Sequence, residues 1–157
     1  MLQINRKLSV AISIVLTAVM FVGTIVLAFF MPAFLKYLLG LPGLSGELLN
    51  LAPYQTVIVY IAAYAELALM LTGLVLLFAL LLLVRRKKVF TMPAVELIRY
   101  ISWCLIFMGI ILIALTFFSV IALLVGAAVL FFGLTIRVVK NVIESAVYLK
   151  EENDLTI

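Results

Sequence analysis

The sequence predicts an all-α integral membrane protein. It has four transmembrane helices, folded as two hairpins and followed by a C-terminal cytoplasmic amphipathic helix. Three observations predict this. Of the 157 residues, 68% are hydrophobic and 11% charged, whereas a soluble domain is about half apolar and about a quarter charged. The apolar residues fall into long uncharged runs, with length for four short spans and little else. Finally, Arg85-Arg86-Lys87-Lys88 is the one cluster of charge that divides these runs into two pairs. Four adjacent cations cannot sit in hydrocarbon, and the positive-inside rule places them in the cytoplasm.

Composition also excludes chemistries. There is no histidine and a single cysteine, Cys104, so neither an intrachain disulfide nor a His-, Cys₂- or Cys/His-based catalytic or metal centre can be assembled. No cofactor is expected. The net charge of +4 comes mostly from the flanks of the spans, so direct contact with nucleic acid is not expected.

The first apolar run, 8–35, follows Arg6 and Lys7. It is about twice the apolar core of a signal peptide and has no small-residue cleavage site after it, so it reads as a retained span. Gly40-Leu41-Pro42-Gly43 and Ser45-Gly46 then mark a turn region. Its leucines suggest a loop lying against the outer interface, flanked by Tyr37 and Tyr54. The second span is 57–84 and ends at the basic cluster.

Thr91 reads as a helix N-cap, with Pro93 in the first turn. Glu96 and Arg99 sit one turn apart, with Tyr100 and Trp103 at interface depth. From Tyr100 to Ile136 there are 37 residues without a charge. As one helix they would run about 55 Å through a core of about 30 Å, so they must fold back. Spans of 100–117 and 119–136, with a turn at Phe117-Phe118-Ser119, satisfy this. Arg6, Lys7, the four-residue cluster, Arg99, Arg137, Lys140 and Lys150 then lie inside, and only Lys36 outside. Both termini are therefore expected in the cytoplasm. The chain is a single membrane domain with a helical tail over 137–157.

Glu66 is the one acidic residue within a span, which makes it a functional candidate. The 19 residues separating it from Arg85 place it roughly 28 Å above the inner boundary, near the outer edge of the core. There a carboxylate can reach headgroups, water or a hydroxyl such as that of Tyr60, and an interfacial or packing role outweighs a proton relay. Ala62, Ala63, Ala65, Ala68 and Gly73 on span two, and Ala122, Gly126 and Gly133 on span four, supply small faces whose ordinary use is close helix packing. The Arg85–Lys88 cluster sets topology and can also attract anionic lipid headgroups.

In the tail, Val139, Val142, Ile143, Ala146 and Leu149 recur at three- and four-residue steps, opposite Lys140, Glu144 and Lys150. This is an amphipathic helix continuing from span four. Its acidic tip is repelled by an anionic leaflet, and its apolar face needs a lipid surface or a protein groove.

The last twenty residues, from Val138 to Ile157, resemble the C-terminal signature of domain-of-unknown-function family 2975, the YoaS-like bacterial membrane proteins. Ala146 to Ile157 matches the family's ending of Ala, a leucine three residues on, any one residue, then Glu-Glu-Asn-Asp-Leu-Thr and Ile or Val. Phe90 to Arg99 looks like the family's joint between basic loop and helix. The resemblance implies a small four-span protein of the bacterial cytoplasmic membrane, with no established biochemical activity. It also implies a context: members often sit beside a small helix-turn-helix regulator of the Cro/C1 type.

Two functions are carried forward. In the first, a regulatory or sensory membrane protein holds such a DNA-binding regulator at the membrane. Val142, Ile143, Ala146 and Leu149 form the docking face, while Glu151, Glu152 and Asp154 pair with the partner's basic surface. In the second, a small transporter, exporter or peptide-resistance (immunity) protein depends on Glu66. An enzyme is not expected, because no nucleophile–base pair can be drawn.

Overall fold

The protein is described by a computed structural model over residues 6–39, 53–86, 90–117 and 120–154. Among the described residues there are four long helices and no strand. These are α1 (Arg6–Leu39), α2 (Pro53–Arg85), α3 (Met92–Ala114) and α4 (Val120–Asp154), with one 3₁₀ turn, Leu115–Phe117, after α3. All four are long and apolar enough to cross a membrane. Uncharged runs of this kind leave the backbone one economical way to pair its own N–H and C=O groups, which is helix.

The helices pack in chain order. α1 lies on α2, α2 on α3, and α3 on α4, while among the described residues α1 and α4 make no comparable contact that would close the row into a ring. The chief apolar cluster of the first hairpin is Met31, Leu35, Val59, Ala63 and Leu67. On α1 the buried stripe runs Thr17, Thr24, Met31 at seven-residue intervals, the repeat that holds two helices in a left-handed seam. The two threonines are tolerated in that stripe because each hydroxyl donates back along its own helix, to Ser13 O and Met20 O, at 2.8 Å.

The α3–α4 pair is the tightest. A Cβ added to Gly109 would lie 2.8 Å from the Leu130 nitrogen and Cβ, one on Gly126 2.9 Å from the Ile113 nitrogen, and one on Gly133 3.0 Å from the Ile106 nitrogen. These contacts share one antiparallel register: Ile106 opposite Gly133, Gly109 opposite Leu130, Ile113 opposite Gly126. Only the absence of side chains lets the two backbones come so close.

The small residues of span two behave differently. Ala63 is buried against α1, Ala68 is exposed, and Gly73 meets nothing within 4 Å. They are scattered around α2, which is flanked on two sides, and do not make one face. Gly109, which the sequence reading passed over, makes the closest approach among the described glycines.

At the start of α3, Thr91 has the extended backbone of an N-cap and Pro93 sits in the first turn, but the threonine hydroxyl makes no capping bond. Its carbonyl accepts from the Ala94 and Val95 N–H groups at 3.0 and 3.3 Å. The third helix thus begins well before residue 100, and its first two turns bury Ala94 and Val95 completely. At the far end the 3₁₀ turn carries Leu115 onto the α1–α2 cluster. Phe118 and Ser119 of the expected turn lie outside the described residues, as do residues 40–52 of the expected outer loop, whose flanks at 36–39 and 53–56 are helical.

Candidate functional site

The α3–α4 register, carried toward the basic end of the molecule, brings Ser102 opposite Arg137, Arg99 opposite Lys140, and Met92 opposite Val147. The stripe of α4 that holds Gly126 and Gly133 therefore continues, at three- and four-residue steps, through Arg137, Lys140, Glu144 and Val147. Its upper half is small and its lower half is charged.

The charges are organised around one carboxylate. Lys140 Nζ donates to Glu144 Oε2 at 2.6 Å and to Asn141 Oδ1 at 3.2 Å. Arg99 Nη2 stands 3.8 Å from Glu144 Oε1, an ion pair without a hydrogen bond. The Lys140 side chain is only 13% exposed, whereas that of Arg99 is 45% exposed. The lysine contact is thus the stronger of the two, and the exposed arginine pair contributes about 0.5 kcal/mol or less. Beside them the Arg137 guanidinium lies 4.5 Å from the centre of the Trp103 ring, and Trp103 stacks on Phe107 at 5.6 Å. Beneath the charges Ser102 is fully buried and donates to Arg99 O at 2.7 Å.

This geometry changes which side of the tail faces what. Span four and the tail are one unbroken helix of 35 residues, and Val147 is 1% exposed near the start of α3. Of the four expected docking residues, Val142 and Leu149 are 65% and 62% exposed, while Ile143 and Ala146 are half-buried. The apolar periodicity of the tail thus contains two faces: an inner one at Ile143 and Val147, and an outer one at Val138, Val142 and Leu149. Sequence reasoning missed Val147. The signal that could have found it was the seven-residue step from Gly126 through Gly133 and Lys140 to Val147.

Glu152 is exposed on the last turn of α4, and the side chains of Glu151 and Asp154 lie outside the described residues. Arg85 and Arg86 are exposed at the end of α2, and Lys87 and Lys88 lie outside the described residues.

Glu66 occupies a second location, half-buried on α2. Its Oε1 is buried without a hydrogen-bond partner, so the expected reach of that oxygen to the Tyr60 hydroxyl is not made. The reason is rotational: Tyr60 is six residues away on the same helix, about 240° around it, and leans toward the α1–α2 cluster. Thr116 Oγ1, in the 3₁₀ turn, is also buried and unpartnered. Each adjoins a member of one apolar contact, since Leu67 belongs to the cluster and Leu115 packs on it. Among the described residues no group of three or more His, Cys, Asp or Glu could hold a metal ion.

Residues 44–157 match the model of the family "Protein of unknown function (DUF2975)". The chain belongs to the DUF2975 family. The matched stretch takes in α2, the α3–α4 pair and the charged end, and leaves α1 outside it. Comparison with curated proteins and with solved structures returns no match.

Proposed function

We propose that this DUF2975 protein is a four-span protein of the bacterial cytoplasmic membrane, with both termini and the Arg85–Lys88 loop in the cytoplasm. Its role is regulatory or sensory, without an enzymatic step. The C-terminal end of α4 engages a soluble partner, and a small, basic helix-turn-helix DNA-binding regulator has the charge this end would attract.

One observation carries the reading. α4 runs to Asp154, past the level of Met92, so Tyr148, Leu149, Lys150 and Glu152 stand exposed on a helix that Val147 and the Arg99–Glu144 ion pair hold against α3. A helix anchored about two turns from its tip presents that tip at little cost in ordering entropy. The docking surface accordingly becomes the outer face, Val142 and Leu149 with Tyr148, together with the acidic tip at Glu151, Glu152 and Asp154. Ile143 and Ala146 support it from the inner side.

The test is co-purification from native membranes in mild detergent, comparing the full chain with one ending at Lys150. A small DNA-binding protein recovered with the full chain only is the expected result. Recovery of the same partner with the shortened chain would remove the tip from the mechanism.

The second reading, a transporter, exporter or peptide-resistance protein, draws on the unpartnered Glu66 and Thr116 oxygens. In that case Glu66→Gln abolishes transport or resistance, whereas a tail-docking regulator tolerates it.

A further inference from the structure

Two heights along the molecule bring a separate site into view. α2 and α3 rise side by side from the short link between Arg85 and Met92, and they are still level where Leu115 meets the Val59, Ala63 and Leu67 cluster. Arg99 therefore stands about 10 Å along α3 from its start. The neighbouring stretch of α2, 76–84, carries no charge. Arg99, Arg137 and Lys140 thus form a cationic belt roughly two turns above Arg85, on the second hairpin only.

The belt holds more positive charge than its own acid can satisfy. Glu144 is shared between Lys140 at 2.6 Å and Arg99 at 3.8 Å, so Arg99 spends no hydrogen bond on it. Arg137 meets the face of Trp103, a contact that engages the cation but leaves the in-plane N–H donors unused. Glu96, one turn before Arg99, is exposed. Two guanidinium groups, whose fork geometry suits phosphate oxygens, therefore have donors to spare: Arg137 over the Trp103 ring, and Arg99 one helical turn before that residue on α3.

Beyond them, further from Arg85, the chemistry changes in a fixed order. Arg99, Trp103 and Phe107 follow at four-residue steps along one side of α3, and the two rings are stacked and remain 39% and 51% exposed. Cation, indole and phenyl are stacked in the order in which a phospholipid presents phosphate, glycerol and acyl chain.

We propose that Arg99, Arg137 and Trp103 form a binding site for one anionic phospholipid, its phosphate between the two guanidinium groups and an acyl chain along Trp103 and Phe107. The site rests on the membrane-spanning reading and is independent of the partner at the tail. Glu144 positions Arg99, and neither it nor Lys140 is required for the phosphate. Because the belt lies above Arg85, the bound headgroup is drawn inward on this side, which matches the shorter uncharged length of the second hairpin.

Trp103 is the only tryptophan, so it reports on its own site. The full chain is reconstituted in vesicles of phosphatidylcholine with phosphatidylglycerol, one or the other carrying brominated acyl chains, and Trp103 quenching is compared at equal mole fraction. Brominated phosphatidylglycerol is expected to quench the more strongly, with selectivity of roughly fivefold for each cation. The double variant Arg99→Gln/Arg137→Gln should lose this preference while keeping its helix content by circular dichroism. Arg85→Gln/Arg86→Gln should keep it.

Equal quenching by both lipids would overturn the site. So would a preference that survives the Arg99/Arg137 double variant, or one that vanishes with the Arg85/Arg86 variant alone, because the signal would then be general surface charge. Displacement of the lipid by inorganic phosphate alone would mark a simple anion site and overturn the lipid assignment. Failure of the chain to enter vesicles would instead count against the membrane-spanning reading.

Discussion

Gly109 and Leu130 meet where α3 and α4 come closest: a methyl group placed on Gly109 would lie 2.8 Å from the Leu130 nitrogen and 2.9 Å from its Cα. Those atoms are backbone and cannot swing aside, so the helices must part if the glycine is enlarged. Gly109→Val should destabilise the α3–α4 pair by about 1–3 kcal/mol, measured by unfolding in mixed detergent with Trp103 emission as the probe. Gly73→Ala is the contrast. Nothing lies within 4 Å of its added Cβ, so better helix propensity should leave stability unchanged or raise it by up to about 1 kcal/mol.

Glu144 joins the two helices electrostatically. Glu144→Ala leaves Lys140, whose side chain is 13% exposed, with Asn141 as its remaining acceptor, and should cost about 1 kcal/mol. Arg99→Ala should cost about 0.5 kcal/mol or less, because that pair is longer and more exposed. A double-mutant cycle on Lys140 and Glu144 should show coupling larger than one on Arg99 and Glu144, and the reverse order would refute this account of the belt.

The two faces of the tail predict opposite phenotypes. Val147→Ala opens a cavity at a residue 1% exposed and should cost about 1–3 kcal/mol. It should also make the end of α4 more sensitive to protease. Val142→Ala and Leu149→Ala, at exposed positions, should leave stability within about 0.5 kcal/mol but weaken capture of a soluble partner. Protease sensitivity that rises equally in all three variants would mean that the tail is not anchored through Val147.

A buried carboxylate oxygen with no partner opposes folding. Glu66→Leu is therefore expected to stabilise the isolated chain by about 1 kcal/mol or more, read in the same detergent unfolding experiment. A loss of stability would show that Glu66 has a partner in the membrane, and would strengthen the transport reading.

Much of the architecture is legible in the residues themselves. The uncharged runs on either side of Arg85 announce four helices, and Thr91 with Pro93 marks where α3 starts. Less legible was which side of a helix would be used. Small residues were visible on both span two and span four, but a glycine matters only if another backbone lies opposite. That distinguishes Gly109 and Gly133 from Gly73. In the tail, every third or fourth residue is apolar on two sides at once, so periodicity could not separate Val142 from Val147.

Taken alone, the amino-acid sequence determined that the chain is helical, that its helices are long and apolar, and where charge interrupts them. Those properties follow from local backbone needs and from the cost of placing charge in hydrocarbon. Only the tertiary structure decided that the helices pack as a row in chain order, and that three glycines set the register of the α3–α4 pair. The same register aligns Arg137 with Trp103 and Val147 with the start of α3. On α2, separately, packing buries Glu66 Oε1 without a hydrogen-bond partner. Such pairings depend on which residues face one another across two helices, a relation between distant parts of the chain that no local pattern encodes.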